Sequence, residues 1–189
     1  MKKKKNKYVA GIDYSLTSPA ICVAKVIDNE IKFENCKFHF LKQNKSHKSL
    51  GEVFFAYEYP EYTDDIERFT NLAEWVIECI RWFDGRVKHV YLEDYAYAAT
   101  GRVFHIAENM GILKYELKSK GFNYTTIPPT VIKKFATQKG NASKDLMLES
   151  FQKEKSTLNL IQDSGNPASD IIDSYFICKY GYEHGNTSS

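Results

Sequence analysis

Three short apolar segments near the start of the chain predict β-strands. Residues 8–13 and 20–27 are rich in apolar and β-branched side chains, and Asp28-Asn29 is a tight-turn signal before residues 31–41. The alternation of apolar and polar positions within 31–41 is imperfect, which is expected of an outer strand. We therefore predict a three-stranded antiparallel meander.

The next segment, 43–62, is polar in its first half and aromatic in its second. Pro60 disfavours a helix there because its ring cannot continue the hydrogen-bond pattern. We predict a long loop, and connections of this length are usually functional or mobile.

Helical periodicity begins after this loop. Apolar residues from Ile66 to Phe83 recur on one helix face, with Thr63 or Asp64 as the N-cap and Gly85 beyond the end. Further along, the pattern predicts strands at 87–92 and 122–127, and helices at 103–117, 128–135, 143–151 and from 167 onward. Together these elements predict an α/β fold: a five-stranded mixed sheet, made of the antiparallel meander plus parallel strands, flanked by helices.

The size and composition of the chain fit one domain. Its 189 residues are 43% hydrophobic and 26% charged, as in ordinary globular proteins. We predict a single domain over 1–189, with a basic tail at 1–7 and a disordered tail at 181–189. No apolar stretch approaches the ~20 residues that cross a bilayer, and four scattered cysteines are typical of free thiols in a reducing compartment. We expect a cytoplasmic protein without a membrane partner.

Charge is informative through its distribution more than its sum. The formal net charge is only +2, but lysines gather outside the acidic motifs and arginine is scarce. Lysine meets phosphate as a point charge, whereas arginine reads bases through bidentate hydrogen bonds. The pattern favours recognition of nucleic-acid shape over extended sequence.

Asp13 closes the first predicted strand, in the segment GIDYSLT. Gly11 would let the backbone tighten there, while Ser15 and Thr17 suit turn hydrogen bonds better than nucleophilic catalysis, since no base is adjacent. An acidic residue before a hydroxyl-bearing turn also occurs in the phosphate loops of actin-like ATPases and sugar kinases. That alternative requires a second phosphate loop, which this sequence lacks, so we expect no nucleotide cofactor.

Glu93 ends a later strand, in the segment VYLED, whereas Asp94 would point to the opposite face. Tyr95 and Tyr97 follow at alternate positions. They could stack on exposed bases, an interaction worth ~1–3 kcal/mol per base, or they could pack in the core.

Asp170 and Asp173, in the segment ASDIID, lie one helical turn apart on one face. Like charges at this spacing destabilise a helix, and a bound cation would compensate. With Asp13 and Glu93 they form a set of four carboxylates delivered by strand ends and a helix face. Hard oxygen ligands suit Mg²⁺ or Mn²⁺, and two such ions can drive in-line phosphodiester hydrolysis. The set predicts a metal-dependent nuclease.

The chain closely resembles the RuvC-type Holliday junction resolvases of bacteria or bacteriophages, which belong to the RNase H-like class. The resemblance runs through GIDYSLT, LEDYAYAATGRVFHIAENMGILKYEL, IPPTVIKKFATQKGNASKDLM and ASDIIDSYFIC, in the family's order and near-family spacing. It covers most of the chain except 43–62. It implies an RNase H-like fold and a Mg²⁺-dependent endodeoxyribonuclease that resolves four-way DNA junctions by paired symmetric nicks leaving 5′-phosphates.

Residue roles are carried over from the resemblance. The implied catalytic metal ligands are Asp13, Glu93, Asp170 and Asp173. They would hold two Mg²⁺ ions about 4 Å apart, with Asp13 bridging them and Mn²⁺ as a substitute.

The resemblance also implies DNA contacts. Lys133 and Lys144 would contact phosphates, with Lys144 catalytic because it neutralises charge developing at the scissile phosphate. Lys134 and Lys139 would hold adjoining phosphates.

The chain departs from the family pattern at two places. The family's aromatic wedge position falls on Ala96, so Tyr95 or Tyr97 would have to take over that role. The first of the two glycines usual in the basic loop is Gln138, which leaves only Gly140.

The resemblance implies a homodimer in a bacterial or phage-infected cytoplasm, because two symmetric nicks need two active centres. The 103–117 helix is the candidate interface, with Gly111 permitting close approach, although ordinary packing on the sheet is an equal alternative. Three other functions stay open: a broader branched-DNA or debranching nuclease, an RNA-processing enzyme, and a junction-binding protein without catalysis.

Overall fold

A computed structural model describes residues 7–42, 51–83, 87–94, 103–154 and 165–185. Its sheet has six strands in the order β4-β3-β2-β1-β5-β6. The strands are β1 (Lys7–Asp13), β2 (Ala20–Val26), β3 (Cys36–Leu41), β4 (Phe54–Tyr57), β5 (Val87–Glu93) and β6 (Asn123–Ile127). The first three pair antiparallel, and β5 and β6 continue the sheet in parallel. The mixed sheet and the antiparallel meander are thus confirmed.

The predicted number of strands was wrong, because β4 lies within the segment assigned to a long loop. β4 pairs in parallel with β3, and the Phe54 ring stacks on Phe38 with centroids 5.1 Å apart. Phe54 is 4% exposed. Burying this aromatic side chain favours strand pairing over a solvated loop. The strand predicted at 31–41 is shorter in the structure. β3 begins only at Cys36, after a short 3₁₀ turn at Phe33–Asn35.

In the part of the chain that the structure describes, five helices flank the sheet: α1 (Asp65–Arg81), α2 (Val103–Ser119), α3 (Pro129–Thr137), α4 (Lys144–Glu154) and α5 (Ala168–His184). Asp64 caps α1 by accepting a hydrogen bond from the Glu67 backbone N–H at 2.8 Å. Most of the predicted apolar face of α1 is buried, but Ile66 is 61% exposed. No helix in the described ranges is long and apolar enough to span a bilayer.

Both predicted tails overlap regular structure at one end. Lys7 already pairs with Val26 in β1, so the basic tail does not extend to residue 7. The predicted C-terminal tail from residue 181 was wrong at its start, because α5 continues to His184. Gly181 keeps that last part of the helix against the sheet, where it faces the Tyr91 ring.

The two faces of the sheet carry different helices. The core on one face contains Val9 and Tyr91 together with side chains of α3, α4 and α5. The core on the other contains Ala10, Ile12 and Leu92 together with side chains of α1 and α2. Because side chains alternate along a strand, residues 11 and 13 of β1 and residue 93 of β5 belong to the α5 side.

Gly11 allows α5 to lie directly against β1. A Cβ atom at residue 11 would stand 2.5 Å from the Ser174 carbonyl oxygen and 2.6 Å from Cys178 Cα, and would also overlap the Cys178 backbone nitrogen. Gly11 is paired within the sheet, opposite Cys22 and Tyr91. Its role is therefore close approach of the helix, and the prediction that it tightens the strand end was wrong.

Candidate active site

Asp13 and Glu93 end neighbouring parallel strands. Ile12 pairs with Leu92, so the residues that follow each of them lie side by side where β1 and β5 end. Both belong to the α5 side of the sheet, because they alternate with Ile12 and Leu92, which pack on the opposite side. Asp94 follows the end of β5, and its backbone N–H donates to the Ile127 carbonyl at 2.8 Å. That its side chain points to the opposite face stays a prediction.

Asp170 and Asp173 lie in the first two turns of α5. Asp170 is 7% exposed and Asp173 is half-buried. Asp170 lies close enough to Asp13 for its negative charge to raise the pKa of the Asp13 carboxyl. The helix thus brings its carboxylates to the end of β1.

The four carboxylates influence one another's protonation. Burial, followed by the charges of Glu93, Asp170 and Asp173, raises the pKa of Asp13 well above 3.8. Burial and the Asp173 charge raise the pKa of Glu93 to about 7. Burial and the Asp170 charge raise the pKa of Asp173 to about 6. Side chains from β1, β5 and α5 therefore form one electrostatic cluster.

Whether this cluster fits a metal ion depends on the spacing of its side chains and on the chemistry of its donor atoms. Within the described ranges, no three acidic, histidine or cysteine side chains converge closely enough to hold an ion as they stand. However, Asp170 Oδ2 is buried without a hydrogen-bond partner, and the donors are all carboxylates. Carboxylate oxygens bind divalent cations that prefer hard ligands, and such a cation would relieve the repulsion among the carboxylates. The donor set fits Mg²⁺, and the assignment of four metal ligands stays a prediction.

Two lysines compensate part of this negative charge. The charge of Lys133, on α3, lowers the pKa of both Glu93 and Asp173. Lys144, at the start of α4, has the same effect on Asp170 and Asp173. Both of the lysines singled out as phosphate contacts therefore lie beside the acidic cluster.

The other predicted DNA contacts are less tied to the cluster. Lys134 and Lys139 are exposed, and neither is among the leading causes of the pKa shifts of the four carboxylates. Tyr95 and Tyr97 lie outside the described residues. The roles of these four residues stay predictions.

The structure adds three polar residues that the sequence interpretation missed: Ser18, Asn166 and Ser169. Lys144 Nζ donates to Asn166 Oδ1 at 3.0 Å and to Ser169 Oγ at 3.1 Å. Asn166 Nδ2 donates to Ser18 Oγ at 2.8 Å. Their only signal in the sequence is proximity to Asp13 and Asp170, since serine and asparagine are common in turns and caps.

The β1–β2 turn beyond Asp13 is held by hydrogen bonds. The Ser18 backbone N–H donates to Ser15 Oγ at 3.0 Å, which confirms the predicted turn role of Ser15. The Arg68 guanidinium donates to the Leu16 carbonyl at 2.7 Å and to the Tyr59 hydroxyl at 2.9 Å. The segment after β4 and the first turn of α1 thus clamp this turn from outside.

Comparison with known proteins gives the fold its name. No protein-family model matches the chain, and no curated protein does. The Thermus thermophilus RuvC structure matches with a TM-score of 0.62 and 18% sequence identity, over 94% of this chain and 96% of that one. The structure of T. thermophilus RuvC in complex with Holliday junction substrate matches with a TM-score of 0.62 and 16% identity, over the same shares. The chain therefore has the RNase H-like fold of the RuvC type.

Proposed function

We propose that this protein is a structure-selective endonuclease that resolves four-way DNA junctions by paired nicks. The observation that carries the proposal is the acidic cluster, in which strand ends and one helix bring together four carboxylates with raised pKa values. The RuvC-type fold supports it, because one RuvC of that fold is known in complex with Holliday junction substrate.

The four carboxylates would hold Mg²⁺, or Mn²⁺ in its place, at the ends of β1 and β5. When bound, such ions activate the attacking water and stabilise the leaving 3′ oxygen. Bound cations would relieve the repulsion among these carboxylates, since raised pKa values mean that ionising them together in the absence of cations is unfavourable. Because the carboxyl groups lose their protons when a metal ion binds, the affinity of the site for the ion should increase with pH.

The lysines would contact the phosphates of the DNA. Lys144 carries its ammonium beside Asp170 and Asp173, where it could neutralise charge that develops on the scissile phosphate. Lys133 would hold an adjoining phosphate from the Glu93 side. Lys134 and Lys139, which are exposed, would extend this contact along the strand as solvated point charges.

A homodimer is part of the proposal, because paired nicks need two centres. The outer face of α2 is the proposed contact. Phe104 is 78% exposed and Tyr115 is 70% exposed, and a Cβ atom at Gly111 would meet nothing within 4 Å. The inner face of α2, with Met110 and Leu113, packs on the sheet and α1. Sedimentation should give a dimer on junction DNA, and a monomer both free and on DNA would remove this part of the proposal.

The decisive assay is gel mapping of nicks on a mobile four-way junction, with Mg²⁺ and with EDTA. We expect symmetric nicks that need the metal and leave ligatable 5′-phosphates. Three-way, flap and linear duplex DNA, and an RNA junction, belong in the same experiment. Equal cleavage of all branched substrates would favour a debranching nuclease. Junction binding without any nicking in Mg²⁺ or Mn²⁺ would make the protein a non-catalytic binder and contradict the proposal.

A further inference from the structure

We propose that Asn166 is a positioning residue of the nuclease site, which links Lys144 to the β1–β2 turn and to Asp170. The inference rests on the proposed function for its catalytic meaning, since Lys144 is there the phosphate-neutralising group. Its structural content is independent of that function. It concerns a hydrogen-bond network, hereafter the Asn166 network, formed by Ser18, Lys144, Asn166, Ser169 and Asp170.

The Asn166 network joins three distant parts of the chain. Ser18 belongs to the turn after β1, Lys144 begins α4, and Asn166 and Ser169 stand at the start of α5. Asn166 Oδ1 is 3.0 Å from Lys144 Nζ, and Asn166 Nδ2 is 2.8 Å from Ser18 Oγ. A single carboxamide therefore contacts both the lysine and the turn that follows Asp13.

The direction of each hydrogen bond is fixed by chemistry. An ammonium group only donates, so Asn166 must present its oxygen to Lys144 and its N–H to Ser18. Ser18 Oγ accepts that N–H. Ser169 Oγ accepts from Lys144 and donates to Asn166 Oδ1 at 2.6 Å. Ser169 Oγ also lies 3.4 Å from Asp170 Oδ1, so the Asn166 network extends from the lysine cation to a carboxylate.

Two members of the Asn166 network, Ser18 and Ser169, are held in place by burial. Ser18 is 1% exposed and Ser169 is 4% exposed, whereas Lys144 and Asn166 reach the solvent side. A lysine has a flexible stem and loses side-chain entropy when it is held in one position. Two neutral acceptors in fixed positions provide that hold without cancelling the positive charge, as a carboxylate would. Lys144 is thus kept beside the acidic cluster while its charge stays available to a phosphate.

Removal of Asn166 should consequently lower the rate of cleavage more than the binding of DNA. We expect Asn166→Ala to reduce the single-turnover nicking rate at saturating protein by about tenfold or more, with the junction Kd within about threefold of wild type. Ser18→Ala should have a similar effect, because it removes the acceptor for the Asn166 amide. A buried serine replaced by alanine leaves little void, so this second variant keeps the test informative if Asn166→Ala folds poorly.

Two further variants sharpen the comparison. Asn166→Asp keeps an oxygen for Lys144 but has no N–H for Ser18 and adds a fifth carboxylate, so it should not restore the rate. Asn71→Ala is the matched control, since that amide makes one 2.9 Å hydrogen bond to the Glu61 carbonyl, away from the acidic cluster. Wild-type nicking rates in both Asn166→Ala and Ser18→Ala would overturn the proposal.

A double-mutant cycle on unfolding separates this proposal from the proposed function. Asn166→Ala, Lys144→Met and the double variant are compared in metal-free urea unfolding. We expect the double variant's loss in unfolding equilibrium constant to be smaller than the product of the single losses by about threefold or more. Independent effects would refute the Asn166 network whether or not the wild-type protein cuts DNA. If wild-type protein cuts no junction but the coupling is present, the proposed function fails and the network stands.

Discussion

The close contact of α5 with β1 at Gly11 gives a sharp prediction for the substitution Gly11→Ala. The new Cβ atom would lie 2.5 Å from the Ser174 carbonyl oxygen and 2.6 Å from Cys178 Cα. These are backbone atoms of a helix, so they cannot rotate away as a side chain would. Either α5 moves off the sheet or β1 bends.

The size of the displacement follows from the contact distances. Ordinary van der Waals contact starts at 3.4 Å, so α5 must recede by about 0.9 Å near Ser174. Overpacking of a core typically costs about 1–3 kcal/mol, and a clash with backbone belongs at the upper end. Asp173 precedes Ser174 directly and moves with it. A 1 Å misplacement of catalytic groups can cost about 100-fold in rate.

Urea unfolding and single-turnover nicking measure the two effects. We expect Gly11→Ala to lose about 3 kcal/mol of unfolding free energy and about 100-fold in nicking rate. Gly111→Ala is the control for stability, because a Cβ atom there meets nothing within 4 Å and the residue lies inside α2. That variant should gain about 0.4–1 kcal/mol. Equal stability of wild type and Gly11→Ala would refute the close packing of α5 on β1, and with it the placement of Asp173.

Three further predictions concern the charges and the turn. Asp13→Asn should abolish nicking, preserve or strengthen junction binding because a repulsive carboxylate is lost, and raise metal-free thermal stability; normal cleavage in Mg²⁺ would make the assignment of Asp13 wrong. Folded-state pKa values of about 7 for Glu93 and about 6 for Asp173 exceed the unfolded values, so the native state holds the extra protons. Unfolding free energy in EDTA should therefore fall by a few kcal/mol from pH 5 to pH 8, and Mg²⁺ should restore more of it at pH 8 than at pH 5; an equal effect of Mg²⁺ at both values would count against the cluster. Arg68→Lys should lose the pair of guanidinium hydrogen bonds to the Leu16 carbonyl and the Tyr59 hydroxyl, with about 1–2 kcal/mol of stability lost in thermal unfolding; an unchanged melting temperature would show that these hydrogen bonds do not hold the turn.

Much of the fold was predictable because its elements have strong local signals. The β1–β2–β3 meander follows from apolar runs and a turn signal, and α1 from a helical repeat with an N-cap. The strand β4 has no such signal. Its four residues become a strand only because β3 offers an edge and Phe38 a ring to pack on, which are long-range contacts.

The acidic site also combines residues that local patterns identify with a long-range contact that they do not. Asp13 and Glu93 could be identified because each follows a clear apolar strand, and alternation puts both on one side of the sheet. Asp170 and Asp173 could be recognised by helical spacing. The contact of α5 with β1, by contrast, depends on Gly11 packing against Ser174 and Cys178, more than 160 positions later in the sequence. No local pattern encodes such a contact.

The Asn166 network was beyond sequence reasoning for a related reason. Ser18 and Asn166 are polar residues of the kind found in any turn, and they are 148 positions apart in the chain. Only the folded arrangement of β1, α4 and α5 gives them a common partner in Lys144. Family resemblance identified the lysine but not the groups that hold it.

The most direct test of the central claim is a crystal soaked with Mn²⁺ and measured for anomalous scattering. We predict a peak in contact with Asp13 and with at least one carboxylate each from β5 and α5, reached by side-chain adjustment of the acidic cluster. A crystal in which Mn²⁺ occupies other surface carboxylates and leaves the accessible cluster without a peak would contradict the claim that these residues form one divalent-cation site.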